Sequence, residues 1–108
     1  MSGKIIEITD ANFNECISSD LPLVIEFWTD WSGPSKSMAP AIEEIADSFE
    51  GKVIVGKVQA DKNPNIVSSF GIRGIPTFIF FKQGNVVFKH TGALTKSVLS
   101  MNIEKFLV

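Results

Sequence analysis

The tightest constraint on this chain is the run Leu23-Val24-Ile25-Glu26-Phe27-Trp28, apolar at every position but one. A strand with one face in water alternates apolar and polar residues, whereas a run apolar on both alternations reads as a strand buried on both faces. Residues 53–58 form a second such strand. Two fully buried strands in one short chain point to a sheet covered on each side.

The remaining segments supply the cover. Residues 4–8 alternate weakly and read as an edge strand. Thr9 caps a short helix over residues 9–18, with Phe13, Cys16 and Ile17 on one face. Over residues 34–49, Met38, Ile42, Ile45, Ala46 and Phe49 recur at helical spacing, and Gly51 suits the position just past the end. Pro40 has no N–H to give the Lys36 carbonyl, so a kink is expected there. Asn63-Pro64, a cap and a first-turn proline, opens a short helix that stops near Gly71. Residues 77–81 and 86–89, joined across Gln83-Gly84-Asn85, read as an antiparallel hairpin. Thr95 caps a last helix that turns Leu99, Ile103, Phe106 and Leu107 inward.

The order is β-α-β-α-β-α-β-β-α. Helices between strands imply parallel crossovers, and the closing hairpin makes the sheet mixed. The expectation is a three-layer α/β domain: a mixed five-stranded sheet flanked by four helices. No linker, repeat or low-complexity stretch interrupts the chain, and residues 1–108 read as one domain.

Composition excludes several functions. With 44% hydrophobic and 20% charged residues the chain reads as soluble and globular. A net charge of −2 gives no reason to expect nucleic acid or an anionic membrane as partner. No apolar stretch approaches the roughly 18 residues of a membrane span. Met1-Ser2-Gly3-Lys4-Ile5 lacks the apolar core of a signal peptide, so the cytoplasm is the expected compartment. Cys16 is the single cysteine, which leaves no intramolecular disulfide and too few ligands for a Cys/His metal cluster. On the inward face of its helix it reads as a small buried hydrophobe rather than a regulatory thiol.

Chemistry is expected where the first buried strand ends and a helix begins, at Trp28-Thr29-Asp30-Trp31-Ser32-Gly33-Pro34-Ser35-Lys36. In open α/β sheets such strand ends gather ligands and reactive groups. By itself Ser32 reads as a helix N-cap, with Pro34 in the first turn. A nucleophilic serine needs a base in reach, and the single histidine, His90, forms no hydrolase motif with it. Gly33-Pro34-Ser35-Lys36 lacks the upstream glycine of a phosphate-binding loop. Glu26, an acid inside a buried strand, should have a raised pKa unless paired, and Lys57 on the neighbouring strand is the expected partner.

The frame Trp31-x-Gly33-Pro34-x-Lys36 does not stand alone. Phe27-Trp28, Ala39-Pro40, Asp61 with Asn63-Pro64, Gly71-Ile72-Arg73-Gly74-Ile75-Pro76-Thr77, Gly84 and Gly92 accompany it in order. Together they resemble the thioredoxin family over nearly the whole chain. The resemblance implies the thioredoxin fold and a general protein-disulfide reductase working by dithiol–disulfide exchange. It implies a cofactor-free monomer acting on protein disulfides and recharged by thioredoxin reductase. Ser32 then stands at the nucleophilic cysteine position and Ser35 at the resolving one, with Glu26 and Lys57 as the buried acid and its lysine. Trp31, Gly33, Pro34, Gly74, Ile75, Pro76, Gly92 and Ala93 would form the shallow groove where client proteins dock, with a cis peptide bond before Pro76. Ordinary turn chemistry is the plainer reading of those same residues.

Two departures matter. Glu26 replaces the aspartate usual in the family, which keeps the chemical type and lengthens the reach; it serves either in proton transfer or only as a salt-bridge partner. More decisive, both x positions of the frame are serine. A first sulfur at a helix N-terminus is favoured as thiolate, and a second one turn along resolves the mixed disulfide. A serine hydroxyl stays protonated near neutral pH, and oxygen does not replace sulfur in a reversible disulfide couple. Two origins are open: replacement of two cysteines in a native reductase, or a naturally redox-dead module that binds a client.

Overall fold

A computed structural model describes residues 5–107; Lys4, which the alternation includes in the first strand, lies outside them. Strands β1 (Ile5–Glu7), β2 (Leu23–Trp28), β3 (Ile54–Gln59), β4 (Thr77–Lys82) and β5 (Asn85–Thr91) form one sheet in the order β1-β3-β2-β4-β5. β1, β3 and β2 run parallel, while β4 is antiparallel to β2 and β5 to β4. The apolar run that constrains the chain therefore becomes the central strand, with its first five residues buried.

The helices are α1 (Phe13–Ile17), α2 (Gly33–Ser37), α3 (Ala39–Ser48), α4 (Pro64–Phe70) and α5 (Lys96–Lys105). Strand alternation sorts the core into two layers. Val24, Val55, Phe78 and Phe80 meet Met38, Ile42 and Ile45 before and along α3 and Leu99 and Ile103 of α5. Leu23, Ile25, Phe27, Val58, Ile79 and Phe81 meet α1 and α4 through Phe13, Cys16, Ile17, Ile66 and Phe70. Each fully buried Phe or Ile among these contributes about 1.5–3 kcal/mol of transfer free energy. The result is the expected α/β/α sandwich around a mixed five-stranded sheet.

Several boundaries differ from the expectation, each for a local reason. The first helix starts at Phe13 with Asn12 as its N-cap residue, not Thr9. Asn12 Oδ1 instead accepts from the Thr9 N–H at 2.7 Å, holding residues 9–12 as a turn. The helix expected over residues 34–49 is divided at Met38, two residues before the proline. Pro40 occupies the first turn of α3, where a missing N–H costs nothing, and Met38 N–H closes the preceding turn on the Ser35 carbonyl at 3.2 Å. The second buried strand is shifted by one residue and runs on into a short 3-10 turn, Ala60–Lys62. The hairpin turn is tighter than expected: Lys82 pairs with Asn85, and Gln83 and Gly84 both take positive φ, as a two-residue hairpin requires. Phe106 and Leu107 pack against the core from just beyond α5 rather than within it. Cys16 is half-buried, because α1 is too short to seal it.

Asn63 precedes α4 as expected, but its side chain does not cap that helix. Asp10 does so from across the fold, accepting from Asn65 N–H at 3.1 Å and Ile66 N–H at 2.9 Å.

Candidate functional site

Strand pairing gathers the site residues at one end of the sheet. Phe27, near the end of β2, pairs with Thr77 at the start of β4, and Thr77 pairs with Thr91 at the end of β5. Residues 29–32, the turn with Gly74, Ile75 and Pro76, and the segment with Gly92 and Ala93 therefore leave the sheet together. Parallel strands β2 and β3 finish at this same end.

Short bonds hold the two surface turns. Gly92 N–H donates to the Pro76 carbonyl at 2.7 Å, and Thr77 Oγ1 donates to the Gly74 carbonyl at 2.6 Å. A Cβ at Gly74 would stand 2.7 Å from Thr91 Cγ2, so a side chain there would push Thr91 aside. The Ile75–Pro76 bond is cis. Ile75 is half-buried and its backbone makes no hydrogen bond among the described residues. Gly33, Pro34 and Ala93 are exposed, and Trp31 is 73% exposed.

The two serines occupy different environments. Ser32 is the N-cap of α2, its Oγ accepting from Ser35 N–H at 3.2 Å, with Pro34 in the first turn as its spacing predicts. Ser35 is 2% exposed, and its hydroxyl has no hydrogen-bond partner. It lies three residues before Met38 and seven before Ile42, on the stripe facing the sheet. His90 stacks on Phe88, with ring centroids 6.5 Å apart, and bonds to neither serine, so it serves neither hydroxyl as a base.

Beneath this surface Glu26 is 1% exposed, and neither carboxyl oxygen accepts a hydrogen bond. Burial pushes its pKa up to about 7, and the Lys57 ammonium opposes that rise. Lys57 Nζ stands 3.9 Å from Glu26 Oε1, an ion-pair distance without a hydrogen bond. The same ammonium lies 4.8 Å from the centre of the Trp28 ring. Register sets this pairing, because Glu26 and Lys57 are directly opposed in β2 and β3.

Two contributors were not read from the sequence. Trp28 contacts Lys57, and its position two residues beyond Glu26, on the same strand face, is the signal that would have shown it. Thr29 is buried with an unpartnered hydroxyl, and nothing in its local sequence marks it. Cys16, on the opposite layer, is held above the usual thiol pKa by burial and by Glu15, which keeps it protonated. Among the described residues, no three His, Cys, Asp or Glu side chains gather as a metal ion would need. No helix among them is long and apolar enough to cross a membrane.

A sequence model of the thioredoxin family matches residues 4–105. The chain belongs to the thioredoxin family. Its relatives include a thioredoxin of Chlorobaculum thiosulfatiphilum, 42% identical over 107 residues that cover 98% of this chain and 99% of the relative. Thioredoxin 1 of Nostoc sp. is 44% identical over 102 residues, 94% and 95% of the two chains. A thioredoxin of Pseudomonas aeruginosa is 41% identical over 101 residues, 93% and 94% of the two. The mixed five-stranded sheet and its covering helices form the thioredoxin fold. What this chain presents at the start of α2 is oxygen, at Ser32 and Ser35.

Proposed function

We propose that this chain is the redox-inactive, Ser32/Ser35 form of a general protein-disulfide reductase, retaining the surface that docks client proteins. The observation that carries this reading is the contrast at α2: the capped helix start, the Trp31 and Ile75-Pro76 surface and the buried Glu26–Lys57 pair are in place, and both reacting positions carry hydroxyls.

In the cysteine form, the thiolate at position 32 would attack one sulfur of a client disulfide and release the other as thiolate. The thiol at position 35 would then displace the client from the mixed disulfide, leaving a 32–35 disulfide for thioredoxin reductase to reduce. In this reading Glu26 would take the proton from position 35, and Lys57 would stabilise the resulting charge. With oxygen at both positions neither displacement occurs, and Glu26 serves only its lysine. Docking does not need sulfur. An extended peptide can pair with the free backbone of Ile75, as a strand adds to a sheet edge, while Trp31, Pro34, Gly92 and Ala93 supply shallow apolar contact around the buried Pro76. Because Cys→Ser changes one atom at each position, we read the chain as derived from a cytoplasmic, monomeric reductase whose gene carries cysteine codons at 32 and 35.

The test is a titration of the labelled protein with an oxidised insulin B-chain peptide, followed by amide resonances. Shifts are expected at Trp31, Ile75, Gly92 and Ala93, with no insulin reduction above the dithiothreitol background. Shifts confined to another face, or turnover by the chain as it stands, would overturn the reading.

A further inference from the structure

Met38 closes three connections at once. Its N–H donates to the Ser35 carbonyl at 3.2 Å, and its own carbonyl accepts from Ile42 N–H at 2.9 Å. The backbone of Met38 thus joins the end of α2 to the start of α3, and its side chain is buried in the layer shared with α5. The sulfur makes the third connection: Sδ accepts from Leu94 N–H at 3.3 Å. Donor and acceptor are 56 residues apart, so this bond ties the end of the helix that carries Ser35 to the segment that follows β5.

That segment forms one rim of the surface around Ile75 and Pro76. Gly92 is held by the Pro76 carbonyl at 2.7 Å, and α5 begins after the Thr95 cap. Between these anchors Ala93 is exposed, while Leu94 is half-buried and packs on the layer that contains Met38. Among the described residues the Ala93 and Leu94 backbones make no hydrogen bond other than the one to the sulfur. A backbone N–H against a packed layer needs an acceptor. Thioether sulfur is a weak acceptor, yet leaving the N–H with none costs its desolvation. Leucine or isoleucine at position 38 would fill a similar volume and give Leu94 nothing to donate to. The sulfur therefore does something that packing alone does not require.

We propose that Met38 is a positioning residue for client docking: its thioether pins the Gly92–Ala93 rim to the helix turn that carries position 35. This rests on the docking reading given above and adds to it a determinant buried beneath the surface. Backbone bonds fix Met38 on both sides, so its sulfur projects from an anchored point. A client lying across Ile75 and Ala93 then meets a rim that is already ordered, which lowers the cost of docking. Without the sulfur the rim keeps its Gly92 anchor alone, and a client must order residues 93 and 94 as it binds.

Amide hydrogen exchange and peptide titration test this in the full chain. Met38→Leu should speed exchange of the Leu94 amide about tenfold beyond any change at Ile103, which reports the buried face of α5. The oxidised insulin B-chain peptide should bind this variant about threefold more weakly than it binds the parent. Met38→Ile, a second side chain without sulfur, should repeat both effects. Selenomethionine labelling keeps a soft acceptor at the same atom and should produce neither. Unchanged Leu94 exchange in the variants without sulfur would overturn the proposal. So would faster exchange at Leu94 with undiminished peptide affinity, an outcome that leaves the docking reading standing. A parent whose Gly92 and Ala93 resonances ignore the peptide would overturn the docking reading and this proposal together.

Discussion

Two of the regions that bury polar side chains, around α4 and around α2, differ in how completely those groups are bonded. Around α4 every such group has a partner. Asp10 caps the helix start, Asn63 Oδ1 accepts from Asp10 N–H at 2.9 Å, and Asn63 Nδ2 donates to the Gln59 carbonyl at 2.9 Å. Lys89 Nζ donates to the Phe70 carbonyl at the helix end at 2.7 Å. Around α2 the opposite holds: Glu26, Thr29 and Ser35 are buried with side-chain oxygens that have no hydrogen-bond partner. The first network opposes the helix dipole at both ends and fixes a short helix that could not stand alone. The second leaves buried polar atoms unbonded, an arrangement that packing alone does not explain.

The largest effect expected from this contrast is on pH dependence. Glu26 holds its proton in the folded state up to about 7 against a usual value of 4.5. Between these values the folded chain binds more protons than the unfolded one, so stability falls as pH rises and levels off above the upper value. The loss across that window should be about 3 kcal/mol. Urea unfolding over the range should show the fall in the parent and a flat profile in Glu26→Gln. A rise with pH in the parent would mean that Lys57 outweighs burial.

A smaller effect belongs to the bonded network. Asp10→Ala removes both acceptors from the start of α4 and should cost about 1–2 kcal/mol, independent of pH near neutrality. No loss would show that water caps that helix equally well.

The smallest effects separate the two serines. Ser32→Ala removes an N-cap bond and should cost about 1 kcal/mol. Ser35→Ala removes a buried hydroxyl that bonds nothing, so stability should hold or rise by up to about 1 kcal/mol. Equal losses at both sites would erase the distinction between the bonded and the unbonded oxygen.

Much of this was legible in the chain before any coordinates. Burial on both faces of Leu23–Trp28 follows from its unbroken apolar run, and the Ser32 cap and the Glu26–Lys57 pairing follow from spacing and strand order. The break at Met38 rather than Pro40 was less so, because a proline in a first turn and one in a helix interior look alike until the helix start is known. Asp10 capping α4 was illegible, since donor and acceptor are 55 or more residues apart. The unpartnered Thr29 hydroxyl was equally hidden, because satisfaction is a property of surroundings and not of sequence.

The most direct test of the central claim, an intact thioredoxin-family site lacking only its sulfurs, is Ser32→Cys with Ser35→Cys in the dithiothreitol-driven insulin-reduction assay. The restored chain is expected to reduce insulin well above the uncatalysed rate while the parent stays at background. A folded double variant that remained at background would contradict it, and would mean that the rest of the site cannot support the exchange.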